Sequence, residues 1–133
     1  MSDSPAFDIG EFPVHLGLGA TVVREPAFAG MEWYGGYGQR HAADGFEGRL
    51  VSMYTFDAPW PSWEMHPNGA ELVVCTAGRI TLFQEIDGKV QAVTLTAGQA
   101  AINPPGVWHT ADVNEPCTAL FITSGFGTQN RPR

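Results

Sequence analysis

From residue 49 onward, apolar and polar positions alternate in short runs, each broken by a turn-forming cluster. Strands are expected at 49–56, 61–66, 70–76, 79–86, 89–96, 99–103, 107–113 and 117–123. Between them stand Asp57-Ala58-Pro59, Pro67-Asn68-Gly69, Ala77-Gly78, Asp87-Gly88, Ala97-Gly98, Pro104-Pro105-Gly106 and Asn114-Glu115-Pro116. Short strands at such regular spacing predict an all-β sandwich or barrel. Asp87-Gly88 is the clearest hairpin signal, because both positions tolerate positive φ. The first thirty residues are weakly patterned, with one candidate strand at 20–24. Residues 31–38 (MEWYGGYG) are aromatic and glycine-rich, and 39–48 read as a polar loop or one short helical turn. No amphipathic helix of ten or more residues is expected.

Runs 70–76 and 117–123 are apolar on both faces, so the outside of the sheet needs cover as well as the inside. A second copy of the chain is the economical cover, which makes a homodimer the expected state. The chain reads as one domain, residues 1–133, with a barrel core at about 49–123 and residues 1–40 packing outside it.

Charge narrows the partners. Seven Lys and Arg face fourteen Asp and Glu, for a net charge of −7, and Lys89 is the only lysine. Phosphate recognition needs clustered cations, so neither nucleic acid nor an anionic membrane surface is an expected partner. The opening MSDSPAFDIG is acidic and has no basic or apolar targeting region, so the expected location is cytoplasmic. Cys75 and Cys117 lie in apolar runs and are expected as buried thiols rather than nucleophiles.

Candidate chemistry gathers around two turns. Glu64 and His66 are two apart on one strand and so share a face. Glu71 follows the Pro67-Asn68-Gly69 turn, and His109 follows Pro104-Pro105-Gly106. Imidazole and carboxylate suit iron(II), manganese, nickel or zinc. Glu and His also gather in structural ion pairs, so spacing alone leaves both readings open. Trp63 and Met65 alternate with Glu64 and His66 and should face away. Trp60 and Trp108 belong either to a pocket mouth or to packing. Met53, Tyr54, Phe56 and Phe83 lie on strands whose inward face is undecided without register. His15 is read as structural and His41 as a solvated loop residue. Gly35-Gly36-Tyr37-Gly38 is no phosphate loop, because no capped helix follows it.

The two turns carry a resemblance. Glu64-x-His66-(x)4-Glu71-(x)6-Gly78 resembles the first motif of the cupin superfamily, G(x)5HxH(x)3–4E(x)6G. Gly98-(x)5-Pro104-x-Gly106-(x)2-His109 matches the second, G(x)5PxG(x)2H(x)3N, through its histidine. The resemblance covers about residues 49–123. It implies an antiparallel double-stranded β-helix, or jelly-roll barrel, holding one divalent metal ion inside its mouth. Carried over by position, His66, Glu71 and His109 match three family ligands, and Glu64 stands where the family has its first histidine. Two smaller departures are Ala58 in place of the first motif's glycine and Asn114 one residue later than the second motif's asparagine.

Glu64 has two expected roles. As a fourth ligand it completes a formally neutral shell of two histidines and two carboxylates, a weaker Lewis acid than a cationic one. Left free, it stands beside a two-His-one-carboxylate set as a catalytic base. The expected function is a metal-dependent enzyme acting on a small organic molecule by dioxygenase-, lyase- or isomerase-like chemistry. The alternative is a noncatalytic ligand-binding or sensory cupin with a structural or vestigial metal.

Overall fold

The computed structural model describes residues 5–133. Eleven strands and one α-helix follow in the order β1 (Val14–Leu16), β2 (Val22–Arg24), α1 (Met31–Arg40), β3 (Arg49–Phe56), β4 (Ser62–Met65), β5 (Glu71–Ala77), β6 (Arg79–Ile86), β7 (Lys89–Thr96), β8 (Ala100–Asn103), β9 (His109–Asp112), β10 (Cys117–Thr123) and β11 (Gln129–Pro132). A six-stranded sheet runs β2-β1-β3-β10-β5-β8, and a five-stranded sheet runs β11-β4-β9-β6-β7. Every pairing is antiparallel. The two sheets close a jelly-roll barrel around Val73, Cys75, Ile80, Leu82, Ala111 and Ala119, none of which is solvent-exposed. The thiols of Cys75 and Cys117 are free and buried. No helix among the described residues is long and apolar enough to cross a membrane.

All eight strands expected between 49 and 123 are present, four with the expected ends and four with ends displaced by one or two residues. Asp87 and Gly88 both take positive φ, as a two-residue hairpin of this hand requires. Gly78 is demanded twice over at the β5–β6 turn. Its φ is +75°, and a Cβ there would stand only 2.3 Å from the Pro116 carbonyl oxygen.

The helix corrects the expectation that none of ten residues exists. Gly35, Gly36 and Gly38 each weaken α1 by about 1 kcal/mol relative to alanine, which masked it in the sequence. Anchoring outweighs them. Trp33 is buried, donates its indole N–H to the Pro26 carbonyl at 3.0 Å, and stacks on Tyr37 one turn later. Arg40 and His41 close the far end on the buried carboxylate of Glu25. His41 is therefore no solvated loop residue: its ring also stacks on His15 at 3.6 Å. The stretch that follows is a pair of 3-10 turns over Ala42–Glu47.

Two strands have no counterpart in the sequence reading. β1 pairs β3 and extends the larger sheet. The polar segment β11 pairs β4, and Arg131 fixes it by lying over the rings of Trp108 (4.5 Å) and Trp63 (5.2 Å) while its Nη2 meets Glu85 at 2.6 Å. On the outer face of the larger sheet, Leu120 stands between Met53 and Val74, and Ile122 lies beside Leu72, which in turn pairs Ile102. Ile102 is 62% exposed, so the described residues leave that part of the apolar face open.

Candidate metal centre

Strand alternation and two tight turns bring Glu64, His66, Glu71 and His109 together at one end of the barrel. Glu64 and His109 are direct cross-strand partners on β4 and β9. His66 ends the β4 segment, and its carbonyl accepts the Gly106 N–H at 3.0 Å, which ties the two motif turns to each other. Glu71 opens β5 in the opposite sheet.

His66 Nε2 lies 3.3 Å from one Glu71 oxygen, and His109 Nε2 lies 3.2 Å from the other. A Glu64 oxygen stands 4.0 and 3.9 Å from the same two nitrogens. Although these groups crowd together, neither Nε2 makes a hydrogen bond, and both are buried. The other ring nitrogens explain which form the imidazoles take. His109 Nδ1 faces the Val107 carbonyl, an acceptor only, and so carries the proton. Thr128 spends its single hydroxyl proton on the Gly125 carbonyl at 2.8 Å, so it must accept from His66 Nδ1–H at 2.8 Å. In the neutral form both rings thus offer a bare Nε2 lone pair to the space between the carboxylates.

Glu71 is braced as an anion. Asn103 Nδ2 donates to one oxygen at 3.0 Å and Thr123 Oγ1 to the other at 2.6 Å. Gln84 Nε2 in turn donates to the Asn103 carbonyl oxygen at 2.7 Å, which turns the Asn103 amide nitrogen toward Glu71. Burial alone pushes the Glu71 carboxyl up, but the two adjacent imidazoles outweigh it and hold the group well below the usual carboxylate range. Glu64 goes the other way: burial raises it, the Glu71 charge adds to this, and the histidines only partly offset the rise. Burial lowers His109, yet the Glu71 carboxylate more than compensates, so the imidazole holds a proton more tightly than usual when no cation is present. Two orphaned nitrogen lone pairs and two carboxylates fit a divalent cation with mixed nitrogen and oxygen preference.

Gln84, Asn103, Thr123 and Thr128 orient this centre, and no spacing in the sequence singles them out. Trp60 packs beside His109, with ring centroids 6.4 Å apart, and beside Phe56 and Phe121. Tyr54 faces the same interior and meets the Tyr34 hydroxyl, from α1, at 2.5 Å. Met53 lies on the outer face, Trp63 and Trp108 hold Arg131, and the Phe83 ring lies under the Arg133 guanidinium.

A second acidic and histidine cluster joins His15, His41 and Asp44. Its rings are stacked at 17°, so their in-plane lone pairs run nearly parallel rather than converging. His15 already bonds Tyr37 and Asp44, both at 2.6 Å, and His41 bonds Glu25 at 2.8 Å. This cluster latches α1 to β1.

Residues 56–123 match the family model of the cupin domain. No curated protein sequence matches the chain. Among solved structures, a cupin-2 domain containing protein from Shewanella frigidimarina is 23% identical, with 64% of this chain and 71% of that one covered and a TM-score of 0.48. Oxalate oxidase in complex with the substrate analogue glycolate is 13% identical over 61% of this chain, with a TM-score of 0.53. The aligned part is 45% of the oxidase, so the likeness speaks for the barrel alone. Hydroquinone 1,2-dioxygenase from Sphingomonas sp. TTNP3 is 15% identical, with 56% of this chain and 59% of that one covered and a TM-score of 0.48. The matched span begins at the last residue of β3, ends at the last residue of β10 and contains both motif turns, and on this ground the chain belongs to the cupin family.

Proposed function

We propose that this cupin holds one divalent ion (iron(II), manganese, nickel or zinc) through His66, His109 and Glu71, with Glu64 at the fourth position, and acts on a small organic molecule there. The observation that carries this reading is the pair of buried, unpartnered Nε2 atoms facing two carboxylates. Native folds rarely leave such groups unmet. When bound, the ion supplies Lewis acidity to an oxygen-bearing molecule, in a dioxygenase-, lyase- or isomerase-like reaction. The chain's own residues do the rest. Asn103 and Thr123 hold the Glu71 carboxylate in place, and Thr128 and the Val107 carbonyl place the single proton of each neutral ring on Nδ1, so that Nε2 is the nitrogen turned to the ion. Glu64 is the half-exposed member, with its side chain 38% accessible. It is therefore the carboxylate that would be free to take a proton as a base. Buried free thiols support a reducing, cytoplasmic setting. A second copy of the chain covers the apolar outer face of Leu72, Leu120, Ile122 and Ile102, giving a homodimer.

The test is metal analysis of protein purified without chelators, followed by oxygen uptake and product analysis with iron(II) and a panel of small acids and phenols. His109→Ala should lose the ion and keep a cooperative thermal transition. Glu64→Gln should weaken metal binding less than loss of either histidine. If Glu64 is the base, Glu64→Gln should instead keep the ion and abolish turnover. Full metal content in His109→Ala defeats the assignment. A tightly held ion with no turnover on any substrate favours the noncatalytic, ligand-sensing reading.

A further inference from the structure

Among the described residues, two hydrogen-bond donors near the centre have no protein acceptor. The Trp60 indole N–H is buried and unpartnered. Tyr34 and Tyr54 share one hydrogen bond between their hydroxyls, and each phenol brings one proton. One O–H is spent between them, and the other is left over where the pair meets solvent. Both spare donors sit on the same wall. Trp60 lies 5.5 Å from Phe56, Tyr54 lies 6.1 Å from Phe56, and the Trp60 ring borders His109. Tyr54, Phe56 and Trp60 are each partly exposed, so the wall offers its rings and the tyrosine hydroxyls to a ligand, while the indole N–H itself has no exposed surface. Tyr34 comes from α1, outside the span matched by the family model.

A donor-lined aromatic wall asks for a planar molecule carrying an acceptor oxygen. Charge then decides between anion and neutral. Glu64 and Glu71 stand at the same place in a chain of net charge −7, which disfavours a carboxylate ligand. A phenol has the ring and the oxygen and is uncharged at neutral pH, with an ordinary pKa near ~10.

We propose that Trp60, Tyr34 and Tyr54 form a recognition wall for a small phenol, which packs its ring against Phe56 and Trp60 and accepts the spare indole or phenol proton on its hydroxyl oxygen. This rests on the proposed metal site only for where the molecule reacts. The wall itself needs no ion. Burial, the bond to Tyr54 and the Glu64 charge all raise the Tyr34 hydroxyl above its ordinary range, so it stays a donor across the neutral range.

The test is calorimetric titration of 4-methylphenol, cyclohexanol and benzoate into chelator-treated and zinc-loaded protein. 4-Methylphenol should bind both forms at least tenfold more tightly than either competitor. Trp60→Phe keeps a ring and removes the N–H, so it should weaken 4-methylphenol by roughly tenfold, and Tyr54→Phe by a similar factor. Trp63→Phe, whose ring meets Arg131, should bind like the parent. Tyr34→Phe, on the helix surface, provides a further variant if Trp60→Phe does not fold. Absence of 4-methylphenol binding, equal binding of cyclohexanol, or unchanged binding in all three wall variants overturns the proposal. Protein that takes zinc but not the phenol loses this inference and keeps the metal reading. Protein that takes the phenol but not zinc does the reverse.

Discussion

Replacing Thr128 by valine removes the hydroxyl that orients His66, together with that hydroxyl's own bond to the Gly125 carbonyl. Valine matches threonine in shape, and the backbone bond from the Thr128 N–H to the Gly125 carbonyl at 3.2 Å still closes the turn, while the acceptor that meets His66 Nδ1–H at 2.8 Å is lost. His66 is 6% exposed, so water cannot readily replace that acceptor. A buried donor left unmet costs about 1–3 kcal/mol. The ring escapes this cost by turning away or by moving its proton to Nε2, and either change removes the lone pair that faces Glu71. The loss therefore appears as weaker metal binding. At about 1.4 kcal/mol per tenfold, it amounts to roughly fivefold to a hundredfold, the same range that loss of an outer hydrogen-bond partner costs other metal-bound histidines. Competition for zinc against a chromophoric chelator at fixed pH measures it, with Thr128→Ser, which keeps the hydroxyl, as the matched control. Zinc affinity in Thr128→Val within twofold of the parent, with an unchanged melting temperature, would refute the tautomer argument.

Glu25→Ala should cost about 1–3 kcal/mol, because Arg40 and His41 lose their shared acceptor, and amides in 31–47 should exchange faster while those of β4, β6 and β9 do not. Leu120→Asp places a charge in the middle of the apolar outer face, so sedimentation should show a monomer for the variant and a dimer for the parent; a monomeric parent at micromolar concentration would sink the dimer proposal. In chelator-treated protein, His109 has a raised folded value, so its stabilisation is whole below the ordinary 6.5 and fades as pH climbs through that raised value. Glu71 has a lowered value, so its stabilisation is whole above 4.5 and fades as pH drops through the lowered one. Glu64 has a raised value, so its contribution is whole below 4.5 and fades as pH climbs through that raised value. The melting temperature should therefore be highest near 4.5 and decline on both sides, and His109→Ala should remove the part of the alkaline decline that lies above 6.5.

Local rules make part of this molecule legible and leave the rest opaque. Alternation is enough to put Glu64 and His66 on one face, because a strand has only two faces. Turn chemistry is enough at Gly78 and Asp87-Gly88, because only certain residues tolerate those dihedrals. The helix escapes such rules: its glycines argue against it, and what holds it, Glu25 gripping His41, spans sixteen residues of chain. The polar β11 segment likewise shows no alternation, since Arg131 is fixed by two tryptophans and Glu85 rather than by an apolar face. Thr128 was invisible for the same reason. A hydroxyl next to a turn carries no mark of the imidazole it will meet.

The placement of Glu71 on one sheet, and of its three companions on or beside strands of the other, has a mechanical meaning. No disulfide joins the sheets, since both cysteines are free. An ion gripped at that end would consequently be a rivet through the two walls of the barrel, its affinity spent partly on keeping them shut. With free ion at a hundred times Kd, the closed barrel gains about 2.7 kcal/mol over the unfolded chain. That is a sizeable share of the roughly 5–15 kcal/mol that holds a domain together. Scarcity of the ion would then be felt first as faster turnover of the polypeptide by proteases, and the amount of protein in a cell would track the supply of metal before any change in its chemistry was measurable.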